Sequence, residues 1–119
     1  MSVRELPAKD RPLSEQFRLV AVAYADAEAA ASLLEELKTT TLEKLKSKTI
    51  IERGDMPDNK AERIVKSSPD WEAYIRQMCD ARARATKLKL QLAYIRMRHA
   101  EWQAADATAR AEMRLGNVS

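Results

Sequence analysis

The side chains that most often do chemistry are scarce in this chain. His99 is the only histidine and Cys79 the only cysteine. They stand twenty positions apart on one helical stretch, where they cannot meet, and no Cys/His cluster has zinc-ligand spacing. His99 falls between Ile95 and Trp102 in an apolar pattern, which reads as a partly buried packing histidine rather than a ligand or an acid/base group. Carboxylates are plentiful but spaced as helix-surface partners: Glu72 with Arg76, Glu62 with Lys66, and Asp106 with Arg110. Each is an i,i+4 pair in the favourable acid-first order. Glu35 and Glu36 are adjacent and diverge by about 100° on a helix, too far apart to share a proton or a metal. No glycine-rich phosphate loop, nucleophile elbow or metalloprotease motif occurs. The expectation is a protein that is not an enzyme, with no cofactor and no metal.

The remaining chemistry is electrostatic. Between Asp80 and Glu101 stand Arg82, Arg84, Lys87, Lys89, Arg96 and Arg98, with no carboxylate among them. At about 100° per residue, Arg82, Lys89 and Arg96 form one stripe beside the apolar line of Leu88, Leu92 and Ile95. Arg84, Lys87 and Arg98 lie on the opposite flank, with Tyr94 one turn before Arg98. Such a bracket of cations could hold the phosphates of DNA or RNA while Tyr94 stacks on a base. The competing reading is that these are coiled-coil flank residues, covering the seam and pairing with acids on a neighbouring helix. Asp26, Glu28, Glu35 and Glu36 are available for that role. Lys44, Lys46 and Lys48 form a second basic group nearer the middle of the chain.

The elements that must carry these groups are marked by punctuation. All four prolines and both glycines lie at the edges of two long stretches, and either residue inside a helix costs about 1–3 kcal/mol. Residues 1–13 read as an N-terminal arm. Ser14 reads as an N-cap opening a helix over 14–53, with Gly54 as its left-handed closing residue. Residues 54–68 form a connector, in which "DNKAERIVK" fits a short helix capped by Asp58. Ser68 with Pro69 opens a helix over 69–115, and Asp70 and Glu72 favour its positive end. Gly116 closes it, leaving a tail of 116–119. Thr39, Thr40 and Thr41 mark a weak spot in the first helix.

The second helix carries a heptad seam: Trp71, Tyr74, Met78, Ala81, Ala85, Leu88, Leu92, Ile95, His99, Trp102, Asp106, Ala109 and Met113. All but His99 and Asp106 are apolar or aromatic, the signature of a packing seam. The first helix repeats the pattern from Phe17 to Leu45 on a wider stripe. The fold expected is all-α: a long antiparallel helical hairpin, coiled-coil-like, that dimerises into a four-helix bundle to cover its outer apolar surface.

Composition bounds the rest. The chain has 119 residues, room for a single helical domain, and a net charge of +3 that excludes neither nucleic-acid nor protein partners. With one cysteine, no secretory h-region and no apolar run of membrane-spanning length, a cytoplasmic protein without a membrane partner is expected. On that ground the "RGD" at Arg53–Asp55 and the "NVS" at the C-terminus read as a helix end and a tail. Cys79 reads as a small hydrophobe beside the seam.

The segment "AERIVKSSPDWEAYI" and the ending "HAEWQAADATARAEMRL" resemble small helical proteins encoded by phages and prophages, which often lie near recombination or single-strand-binding genes. The resemblance covers residues 61–115. It implies a phage-associated accessory protein in nucleic-acid metabolism, acting in the host cytoplasm, and transfers no activity and no site residues. Three functions follow: a dimeric nucleic-acid-binding module, an adaptor or anti-defence protein that docks on a host or phage protein, and a structural assembly component.

Overall fold

The computed structural model describes residues 11–118 of the chain. Four helices account for nearly all of them: α1 Leu13–Glu36, α2 Lys38–Arg53, α3 Asp58–Lys66 and α4 Pro69–Val118. No strand occurs among the described residues, and the fold is all-α. The expected N-terminal arm lies mostly outside the described residues. At 50 residues, α4 is about 75 Å long at 1.5 Å per residue.

The expected first helix is two helices. The break falls at Leu37, two residues before the threonines that were read as its weak spot, where the backbone turns to φ −84° and ψ 1°. Continuity is kept by backbone bonds on either side, Leu37 N–H to the Leu33 carbonyl at 3.0 Å and Thr41 N–H to the Leu37 carbonyl at 2.8 Å. The three β-branched threonines follow inside the first turn of α2, where their stiff side chains lower helix propensity. α1 begins at Leu13, so Ser14 stands inside the first turn instead of capping it. Gly54 closes α2 with φ 96°, a conformation side-chain-bearing residues avoid, and donates its N–H to the Ile50 carbonyl.

The short connector helix occurs over the expected residues, with one change of role. Asp58 is the first helical residue of α3 and makes no cap; Pro57 precedes it. Its carboxylate instead reaches Lys46 of α2 at 2.8 Å, and Glu43 approaches the same ammonium at 3.2 Å. Lys46 is 6% exposed, and a buried charge persists only when paired in this way. Hydrogen bonding to Asp58 is the main cause that raises the Lys46 pKa, against the desolvation that lowers it.

Ser68 caps α4 as expected. Its hydroxyl oxygen accepts from the Trp71 N–H at 3.3 Å and its proton goes to the Val65 carbonyl at 2.6 Å. Gly116 does not close α4, which continues to Val118 with the glycine inside its last turn.

The chain divides into two compact units. The connector unit spans Ala25–Thr86. Its core is Ala27, Ala31, Ala61, Val65, Trp71 and Ala85, all buried; the small alanine side chains let helices approach closely. Trp71 and Tyr74 stack with ring centroids 5.7 Å apart. Tyr74 contacts Leu34 and Arg82 contacts Glu28, so α1 and α4 run antiparallel here.

The terminal unit contains the residues up to Tyr24 and those from Lys87 onward. Leu92 and Ile95 are its buried apolar residues, and the Arg96 guanidinium lies 5.4 Å from the Phe17 ring centroid. The expected seam is covered only as far as Ile95. His99 is exposed rather than partly buried, stacking its ring on Trp102 at 6.2 Å. Trp102 and Met113 are 62% and 64% exposed. α1 starts at Leu13, which shares a hollow with Ile95 and His99. Cys79, in the connector unit, is exposed and unpaired rather than tucked beside the seam.

Candidate nucleic-acid interface

The helical register of α4 sorts its basic residues into two fates. Arg82, in the connector unit, turns toward α1 and is answered there. Its Nε donates to Glu35 Oε1 at 2.8 Å, one terminal nitrogen donates to the same oxygen, and the other reaches Glu28 Oε2 at 2.6 Å. Hydrogen bonds to Glu35 first and Glu28 second hold the guanidinium protonated more firmly than an ordinary arginine. A forked donor between two carboxylates one heptad apart is an interhelical clamp. The coiled-coil reading therefore describes Arg82.

The others find no acid. Arg84 in the connector unit, and Lys87, Lys89, Arg96 and Arg98 in the terminal unit, are exposed. No carboxylate of the described residues lies within ion-pair distance of any of them. Elsewhere cations and acids do pair: Glu72 with Arg76 at 2.9 Å, Glu62 with Lys66 at 3.4 Å, and Asp106 with Arg110 at 2.5 Å, the three pairs legible in the sequence.

Within the terminal unit, Lys87, Tyr94 and Arg98 fall on one face by i,i+7,i+11 spacing, with Gln91 between them. Tyr94 is 55% exposed, and the Arg98 guanidinium lies 5.9 Å from its ring centroid. An exposed ring next to a delocalised cation can stack on a planar group, and Lys87 on the same face can meet an anion. Arg96 occupies another flank, over Phe17, beside a hollow of about 350 Å³ lined by Leu13, Ser14, Ile95 and His99.

A second group of cations stands in and beside the connector, outside the candidate residues of α4. Arg53, Lys60 and Arg63 line a cleft with Ile64, Ser67 and Pro69. Lys60, Arg63 and Ser67 recur at i, i+3 and i+7, a face-forming spacing that is the signal for this cluster in the sequence.

No group of three or more His, Cys, Asp or Glu side chains able to hold a metal exists among the described residues. No described helix is long and apolar enough to cross a membrane. Comparison with protein-family models, with curated proteins and with solved structures found no match.

Proposed function

We propose that this chain is a non-enzymatic binding module that contacts single-stranded nucleic acid through the acid-free segment of α4 from Lys87 to Arg98. The observation that carries the reading is that Lys87 and Arg98 flank an exposed Tyr94 on one face of α4 while Lys89 and Arg96 are exposed on another, with no acid partner of any of the four among the described residues. Cations without an acid partner can neutralise phosphates and release the counterions condensed on a nucleic acid. The resemblance of residues 61–115 to phage-encoded helical proteins is in keeping with an accessory role in nucleic-acid metabolism, and the exposed Tyr94 ring favours unpaired bases as the ligand. Arg82 belongs to the helix clamp and is left out of the interface.

The test is fluorescence anisotropy of a labelled oligothymidylate of about 20 nucleotides, titrated across salt. Four contacts on a single strand give a slope of log affinity against log salt near −3, at about 0.7 per contact. The triple substitution K87Q/K89Q/R98Q should make that slope shallower by about 2. Absence of binding by the unaltered chain at about 50 mM salt ends the proposal.

The bare end of α4 supports self-association as part of the same reading. Trp102 and Met113, on one face of the helix, are 62% and 64% exposed. Helical stability comes mostly from packing an apolar face, and a second copy would cover these side chains in a four-helix bundle. Light scattering should give twice the 13.5 kDa chain mass. A monomer mass that stays unchanged at high concentration would assign this face to a host or phage protein instead.

A further inference from the structure

The cleft in the connector unit is built by three helices. It has a volume of about 600 Å³, bounded by Arg53 at the end of α2, Lys60, Arg63 and Ile64 on α3, and Pro69 at the start of α4. α3 is sharply two-sided. Ala61 and Val65, 0% and 2% exposed, hold it to the core, while Lys60, Arg63 and Ser67 are exposed on the cleft side. Gly54 sets the direction in which the chain leaves Arg53.

Three cations around one hollow repel one another unless something answers them. In the same unit Lys46, Lys66, Arg76 and Arg82 are each answered by a carboxylate. Acids stand near the cleft in sequence, Glu52 and Asp55 beside Arg53 and Asp70 after Pro69. None comes within ion-pair distance of Arg53, Lys60 or Arg63. The cleft is therefore left positive by the fold itself.

Size and lining narrow the ligand. A lone inorganic anion would cover little of an open surface that three cations border. Two of the three cations are arginines, whose planar forks match phosphate oxygens in pairs. Ile64 and Pro69 add an apolar surface between the charges, which a nucleobase covers and a bare phosphate does not. Paired bases turned into a duplex could not reach that surface; unstacked ones can.

We infer that this cleft is a second nucleic-acid site, in which Arg53, Lys60 and Arg63 hold the phosphodiester backbone of a single strand while a base lies on Ile64 and Pro69. The inference rests on the single-strand reading of α4 proposed above but concerns different residues, so the two can fail separately.

The experiment uses the full chain with the triple substitution R53Q/K60Q/R63Q, whose side chains are exposed and unpaired, with helicity checked by circular dichroism. With the cleft engaged as well as α4, about seven contacts steepen the slope of the unaltered chain to near −5, and losing three at about 0.7 each should make it shallower by about 2 and weaken binding about tenfold or more near 50 mM salt. Photo-crosslinks from a 4-thiothymidine oligonucleotide to the peptide spanning 60–72 should disappear. Unchanged affinity, slope and crosslinks, with the unaltered chain still binding, overturn the cleft and leave the α4 interface standing. A chain that binds no oligonucleotide overturns both. Competition by polyglutamate as effective as by oligothymidylate would assign the cleft to an acidic polypeptide and overturn the nucleic-acid assignment.

Discussion

The Tyr74 hydroxyl of α4 donates a hydrogen bond to the backbone carbonyl of Leu34 in α1. Leu34 is one of the last four residues of α1, whose carbonyls lack partners within the helix. Leu37 N–H answers the Leu33 carbonyl, and Tyr74 answers the next one. The break between α1 and α2 is thus tied to α4 by a side chain forty positions away.

Tyr74→Phe should destabilise the chain by about 1 kcal/mol, the net value of one such hydrogen bond. Urea unfolding measures it, and amide exchange near residues 37–39 should quicken more than exchange within α3. An unchanged midpoint would mean that water replaces the hydroxyl at no cost.

Arg82→Gln separates clamp from interface. The substitution removes the bonds to Glu28 and Glu35, so the thermal midpoint should fall. The salt slope for oligothymidylate should stay within error of the unaltered chain, because Arg82 is not counted among the phosphate contacts. A slope shallower by about 0.7, one single-strand contact, would return Arg82 to the interface.

Lys46 predicts an alkaline weakness. Its pKa is raised above the ordinary 10.5, chiefly by the hydrogen bond from its ammonium to Asp58. The folded state therefore holds this proton more tightly than the unfolded chain. The resulting stability is fully present below pH 10.5 and is lost as pH rises through the higher folded value. Lys46→Gln should abolish that part of the decline, so the stability difference between the two chains should narrow above pH 10.5. A difference independent of pH would remove the ion pair from the account.

Gly54→Ala tests the corner that carries Arg53. An added Cβ would meet nothing within 4 Å, but φ is +96°, so the cost is conformational and should be about 2 kcal/mol. Denaturant titration gives the value. A cost near zero would show that the turn relaxes to negative φ.

Much of the architecture was legible because it is local. Confinement of Pro and Gly marked the connector, and α3 occupies the expected nine residues because Ala61 and Val65 repeat at helical spacing. Ser68 and Pro69 announced the start of α4 through capping chemistry that needs no distant partner. The three i,i+4 ion pairs were visible for the same reason. The threonines marked a weak spot within two residues of the break at Leu37, but the tie that Tyr74 makes to the Leu34 carbonyl beside it was not legible, since it comes from another helix. Nor was the exposure of His99 and Trp102, because a seam pattern records what could be buried and not how far the opposing helix reaches.

Helix content, the connector and the presence of an acid-free basic run were determined by the sequence, since propensity, capping and spacing act within a few residues. Which cations remain available was decided by tertiary structure. Arg82 and Lys46 meet carboxylates from other helices, whereas Lys87, Arg98, Arg53 and Arg63 meet none among the described residues. Charge pairing falls off within a few ångströms of contact, so composition alone could not assign it.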